Sequence, residues 1–337
     1  MAELSNQLMA AAVLAYLAAM VAYAGEYAFG KRSRIGRAAV RPAKQLVGAG
    51  APASVADDVV PPADDVAPAA DVAAADYVAA ARRNRGELVG QIAVGINVLA
   101  VLLHLGGLVT RGVAADRMPW GNMYEYILST TFIASAVWLG VVLARPAVRH
   151  LGLFATLFLV VMIGAASMIA YTPVGPLVPA LHSYWFIIHV STIIIGSGIF
   201  LIGAVPAAMF LIRNGYDEGK RRFPYTLGKH VPEAVSLERL TFRLHAFAFP
   251  LFTFGALIAG PIWAEASWGR YWGWDPKEVW AFISWVVYAG YLHARATPSV
   301  KRTVATWIAL FGFLTMLMNL FGVNLFFEGL HSYANAG

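Results

Sequence analysis

The chain has 337 residues, 59% of them hydrophobic and 13% charged, with a mean hydropathy of +0.63. A soluble domain carries about a quarter charged residues, so this composition argues against one and for an integral membrane protein. There is no cysteine, which excludes disulfides and thiolate metal sites within the chain, and the net charge of +6 has to be located before it can count as a nucleic-acid signal.

A bilayer core needs about 20 mostly apolar residues per helix. Eight such segments are predicted, at 8–29, 88–110, 123–144, 151–171, 185–212, 244–263, 278–294 and 303–325. The fold expected is an all-α integral membrane protein of about eight transmembrane helices. The first segment, within 1–29, reads as a retained helix with its N-terminus outside: Glu3 precedes it, no basic residue does, and a positive cluster follows it. Residues 30–87 begin basic and continue through an Ala/Pro/Asp-rich stretch at 48–80 without helical or strand period. They read as a flexible cytoplasmic linker. A short interfacial helix is expected around 232–243.

Lysine and arginine settle the orientation. All of them except Arg111, Arg117, Arg270 and Lys277 lie in 30–87, 145–150, 213–243 and 295–302, which are alternate connections. This positive-inside asymmetry places both termini outside. It explains the net charge by topology and leaves no nucleic-acid signal.

The connection before the seventh segment is "WGRYWGWDPKEVW", residues 268–280, with four tryptophans in thirteen positions. On this topology it lies outside. Asp275 at an N-cap, Pro276 at the first helical position and Glu278 three residues after the cap form a capping box that starts the seventh helix. Interfacial tryptophans are common belt residues when taken singly. Their density here is not accounted for that way. Trp268, Trp272, Trp274 and Trp280, with Tyr271 between them, are expected to form one aromatic platform, flanked by Trp263 and Trp285, with Gly269 and Gly273 removing bulk between the rings. Such a surface suits a large planar apolar ligand. Porphyrin is one, and haem would also need axial ligands and cations for its propionates.

The eight histidines separate by side. His182, His189 and His331 lie near the outer face, with His104 in the outer half of the second helix. His150, His230, His245 and His293 lie near the inner face. His293 is roughly 27 Å deeper than Asp275 at 1.5 Å per helical residue, so no single haem uses both faces. Within "LHSYWFIIHV", His189 is well inside the apolar run, where an ionisable residue is a functional candidate by default. His182 falls in the loop before it. His331 of "EGLHSY" is the outer partner. For His293, of "GYLHAR", either His245 or a second protein could supply the opposing ligand. Arg270, Lys277, Arg111 and Arg117 are the only outer cations, and hence the candidates for propionate pairing.

"WGRYWGWDPKEVWAFISWVVYAGYLHAR" resembles the tryptophan-rich WWD signature of haem-handling proteins in cytochrome c maturation. "MPWGNMYEY", "LHSYWFIIHV" and "NLFGVNLFFEGLHSY" resemble the accompanying blocks of its CcsA (ResC) branch, part of the System II cytochrome c synthetase. The resemblance covers nearly all of the segments from 88 to 333. It implies a haem-handling domain over 88–337 with its WWD loop at 263–280, in the cytoplasmic membrane. It also implies a CcsB (ResB) partner, haem b as cargo, and thioether attachment to the CxxCH motif of apocytochrome c. The family's outer iron ligands fall on His189 and His331. Its intramembrane ligand falls on His293, with the opposing ligand in the partner. Trp268, Tyr271, Trp272 and Trp274 would hold the porphyrin, Arg270 and Lys277 its propionates, and Asp275 would fix the loop. The competing readings are a System I CcmC- or CcmF-like protein and a haem transporter or scaffold without synthetase activity. The absence of an internal repeat argues against a transporter.

Overall fold

The structure is a computed structural model that describes residues 1–29 and 69–331. The remainder of the expected linker, residues 30–68, lies outside the described residues. Among the described residues eight long helices follow one another: α1 (Ala2–Phe29), α2 (Ala69–Ala115), α3 (Met123–Ala144), α4 (Gly152–Ile169), α5 (Tyr184–Asp217), α6 (Ala234–Trp268), α7 (Pro276–Ala296) and α8 (Arg302–Phe326). No strand is present among the described residues.

Seven of these, all but α7, are long and apolar enough to cross a membrane. The all-α fold is that of a multi-span membrane protein. The expectation of eight spans is therefore met in helices but not in hydropathy. With 21 residues, α7 is about 31 Å long, the thickness of a bilayer core. Its tryptophans, tyrosines, serine and histidine lower its apolar character, and the neighbouring α6 and α8 flank it. The most enclosed helix is α5: its apolar window is 83% buried, against 33–50% for the others. It forms the centre of the bundle.

Two boundaries differ from the sequence reading. The helix expected from residue 88 starts at Ala69, so the second part of the expected linker is helical. Pro68 is the last proline of that stretch, and the alanine-rich sequence after it favours helix. The helix expected separately at 232–243 is the first part of α6. Leu237, Leu240, Thr241, Leu244 and Ala248 are buried along one continuous face, so the helical period runs through without a break.

The chain ends that carry the tryptophan loop, the α2–α3 turn and the α4–α5 loop gather at one end of the bundle, here the tryptophan end. A buried ion-pair cluster ties two of these connections together. Glu125, at 0% exposure, accepts from Arg111 Nε at 2.9 Å, from Arg117 Nη1 at 2.6 Å and from the Gly121 amide at 2.8 Å. Arg111 also donates to the Thr172 carbonyl, and Arg117 to that of Gly175 at 3.0 Å. The two arginines therefore brace loops and are committed to Glu125. This corrects their candidacy as cations for a bound ligand, because a charged neighbour 14 or 8 residues away is not visible from loop charge alone.

Candidate functional site

The tryptophan end contains a cavity of about 1200 Å³, counted out to its open mouth, a size that takes a large organic ligand. Its walls come from α3, α5, α6, α7 and α8, and they include both His189 and His331.

His189 is placed by an irregularity in the facing helix. α6 makes a π turn over Gly255–Ala259, the kind of bulge that recurs at functional sites. The Gly255 carbonyl accepts from His189 Nδ1 at 2.9 Å. Gly260 makes room for the ring, since a Cβ there would lie 3.1 Å from His189 Cε1 and Nδ1. With Nδ1–H committed to a carbonyl, the lone pair of the neutral ring sits on Nε2. The imidazole stacks on Trp263, with centroids 5.4 Å apart and planes at 15°.

His331 is placed from the other side by Asp275. The distance from His331 Nδ1 to Asp275 Oδ1 is 2.8 Å. An ionised carboxylate only accepts, so Nδ1 carries the hydrogen and Nε2 the lone pair. Carboxylate–histidine pairs of this kind orient imidazoles that ligate metals. Trp263 and Trp268 lie edge-on against this ring at 5.6 and 5.1 Å, and against each other at 4.8 Å. Thus Trp263, a flanking residue in the sequence reading, touches both imidazoles.

Asp275 itself does three things. Its side chain caps α7 through the Lys277 amide at 3.1 Å and the Glu278 capping box. Its Oδ2 accepts from the Leu330 amide at 2.6 Å, and its Oδ1 orients His331. Gly329 permits this close approach, since a Cβ there would come within 2.4 Å of Oδ2. Burial pushes the Asp275 pKa up, but the hydrogen bonds from His331, Leu330 and Lys277 outweigh it and hold the carboxyl below its ordinary value. A carboxyl depressed in the folded state stabilises the fold fully above its unfolded pKa, and that contribution is lost as pH falls through the folded value. Acid titration of tryptophan fluorescence should therefore show the loop loosening only below the ordinary carboxylate range. Asp275→Asn should lack that transition, and an identical acid profile in the variant would assign the transition elsewhere.

The expected single platform is divided. Trp268, Tyr271 and Trp272 line the cavity. Trp274 does not: it is 69% exposed and meets Trp272 edge-on at 5.8 Å. Its φ of 58° lies in the left-handed region, an outlier of the sort found at functional sites. Gly269, with φ 69°, ends α6 and returns its amide to the Glu265 carbonyl at 2.9 Å. Trp280 is partly buried on α7. Arg270 is exposed and lies over Gly273. Lys277 does line the cavity, and its Nζ donates at 3.3 Å to the carbonyl of Asn319 in a second π turn, Met318–Gly322 of α8. Nearby, Nε1 of Trp120 and of Trp272 are buried with no protein acceptor.

The other histidines lie elsewhere. His182 is in the turn before α5. His245 is 1% exposed on α6, enclosed by Phe200, Tyr288 and Tyr291. His293 is exposed on α7. Tyr288 and Tyr291 face His245, and His293 projects from the opposite side of the same helix. The structure does not bring His245 and His293 together, which removes His245 as its partner within the chain.

The sequence profile of the cytochrome c assembly protein family matches residues 120–331, which contain every wall of this cavity. The chain is 32% identical to the cytochrome c biogenesis protein CcsA of Gloeobacter violaceus, over 76% of this chain and 90% of that one. It is 33% identical to the protein of that name from Guillardia theta, over 72% and 85%, and 35% identical to the one from Chlamydomonas reinhardtii, over 73% and 68%. The chain belongs to the cytochrome c assembly protein family.

Proposed function

We propose that the cavity is the outer haem site of a System II cytochrome c synthetase, in which this chain is the CcsA (ResC) subunit. The observation that carries this reading is the pair of imidazoles. Each has Nδ1 held by an acceptor, and both belong to one aromatic cavity. That donor set fits haem, whose iron His189 and His331 would ligate. Trp263, Trp268 and Trp272 offer flat apolar surface to the macrocycle. Lys277 Nζ and the indole N–H groups of Trp120 and Trp272 are donors suited to propionate carboxylates. Trp274, Tyr271 and Arg270, exposed at the loop, would meet the incoming apocytochrome.

Haem b supplies the vinyl groups. In the reaction a substrate thiol adds across each vinyl: the S–C bond forms, and the thiol hydrogen passes to the neighbouring vinyl carbon. The protein contributes positioning, which can account for much of a rate enhancement. His189 and His331 would hold the iron, the CxxCH histidine of the substrate would take the place of one of them, and Trp268, Tyr271 and Trp272 of the loop would border the bound macrocycle. The concentration of basic residues in alternate connections supports a location in the cytoplasmic membrane with the tryptophan end outside. The name CcsA, shared by the relatives, supports System II over System I. His293 belongs to a second, deeper haem site completed by a CcsB (ResB) partner. Its exposure on the same face as Phe282 and Val286 supports a ligand from another chain.

The test is the visible spectrum of the purified protein, with and without its partner. His189→Ala and His331→Ala should each remove the bis-histidine signature of the outer site and abolish c-type cytochromes while the chain remains inserted. His293→Ala should lower only the haem that depends on the partner. Haem-free preparations throughout would reject the proposal in favour of a scaffold.

A further inference from the structure

The seam between α1, α2 and α3 contains a second set of buried polar groups that the cavity does not use. On α2, Asn97 and His104 are seven residues apart, as are Tyr16 and Tyr23 on α1. Each pair therefore lies on one helix face about 10 Å apart along the axis. All four residues are sealed from solvent. At the level nearer the tryptophan end, Tyr16 Oη donates to Ser135 Oγ of α3 at 2.7 Å and lies 3.3 Å from His104 Nδ1. One level further, the Tyr23 hydroxyl and the Asn97 side chain are hydrogen-bond partners across the α1–α2 seam. At the far end, Arg149 Nε donates to Glu26 Oε1 at 2.8 Å. Both pack over Gly90, where a Cβ would come within 2.4 Å of the carboxylate.

Along this line Glu26 Oε2 and His104 Nε2 have no hydrogen-bond partner in the protein, and the Tyr23 hydroxyl and the Asn97 amide have none beyond each other. Polar groups that only join membrane helices pair with one another. Buried polar atoms that do not are satisfied by ordered water, which typically makes about three hydrogen bonds. The intervening positions Ala19, Ala93 and Ala100 are small. The hydrogen-bond directions also fix the imidazole. The single hydrogen of Tyr16 goes to Ser135, so His104 Nδ1 supplies the hydrogen between it and Tyr16. The lone pair is then on Nε2, the unpartnered nitrogen. Tyr16 is the titratable group that faces the ring from α1; α3 contributes Ser135, Phe132 and the Leu128 backbone, which hydrogen-bonds the ring, and none of these carries a charge.

We propose that this seam holds a file of ordered water that enters beside the Glu26–Arg149 pair and ends at His104, and that His104 takes up and returns protons through it. The proton binds Nε2 and leaves by the same route, with Nδ1 held by Tyr16. The site is separate from the cavity and serves the opposite end of the bundle.

Hydrogen–deuterium exchange at the imidazole Cε1, read by mass spectrometry on the full chain in lipid nanodiscs, tests both parts. Exchange at this carbon requires the imidazolium and water as carrier of base. Wild-type His104 should exchange despite its burial. Asn97→Leu, which places apolar bulk between the mouth and His104, should slow it roughly tenfold or more, since exchange then depends on opening of the fold. Exposed His293 should be unaffected. No exchange at wild-type His104 would overturn the proposal, and undiminished exchange in the variant would overturn the route. If the variant does not insert, hydroxyl-radical footprinting of the wild type decides. Labelling of Tyr16 and Tyr23 above that of buried Phe200 supports the water file, and labelling at the Phe200 level overturns it.

Discussion

Asp275→Asn should leave the protein inserted but reduce its outer-site haem by roughly 10- to 100-fold, the usual cost of losing the partner of a metal-ligating histidine. Asparagine is as good an N-cap as aspartate, so the start of α7 can persist, but its single oxygen cannot also accept from the Leu330 amide, which bonds the second carboxylate oxygen in the wild type. The imidazole changes as well. The carboxylate can only accept from His331 Nδ1, which keeps the lone pair on Nε2. An amide can also donate, so the ring can exchange its tautomer and put hydrogen where the iron has to bind. Asp275→Ala should show the same loss plus about 1 kcal/mol from the missing cap. Haem per chain and c-type cytochrome content are the measurements. If Asp275→Asn retained both, Asp275 would be a helix cap only, and the pairing with His331 would have no part in function.

The sequence shows the local part of this arrangement and hides the rest for a physical reason. Apolar runs and caps are local signals, so the helices and the capping box at Asp275 can be read directly. The contacts that orient the two imidazoles span 66 and 56 residues. Nothing in periodicity says that His189 will meet the Gly255 carbonyl, because that contact depends on a π turn in another helix. Gly329 is conspicuous in "EGLHSY", but its purpose is visible only once Asp275 lies against it. The aromatic loop was legible as a cluster. Its division into cavity-facing Trp272 and outward Trp274 was not, since it follows from one left-handed residue. Alanine-rich sequence before residue 88 looked like linker because its low hydropathy masks its helix propensity.

Removing the Glu125 carboxylate should be the most destabilising change at the tryptophan end. Taking one partner from a buried ion pair typically costs about 3–5 kcal/mol, because the other charge stays buried without compensation. In Glu125→Ala the guanidinium of Arg111, 1% exposed, would keep only carbonyl acceptors, and the Gly121 amide would lose its acceptor as well. A lower unfolding midpoint and a lower yield of inserted chain are expected. Arg111→Met combined with Glu125→Leu should recover much of the loss, since apolar replacement of a whole buried pair is often neutral or better. Arg111 also discriminates between structural bracing and ligand binding. If it paired with a propionate, Arg111→Met would weaken haem retention at unchanged stability, as Lys277→Met should. If it braces the α2–α3 and α4–α5 connections, Arg111→Met lowers the unfolding midpoint first, and haem is lost only as the cavity wall at Trp120 and Tyr126 loosens. The geometry around Glu125 requires the second order of events.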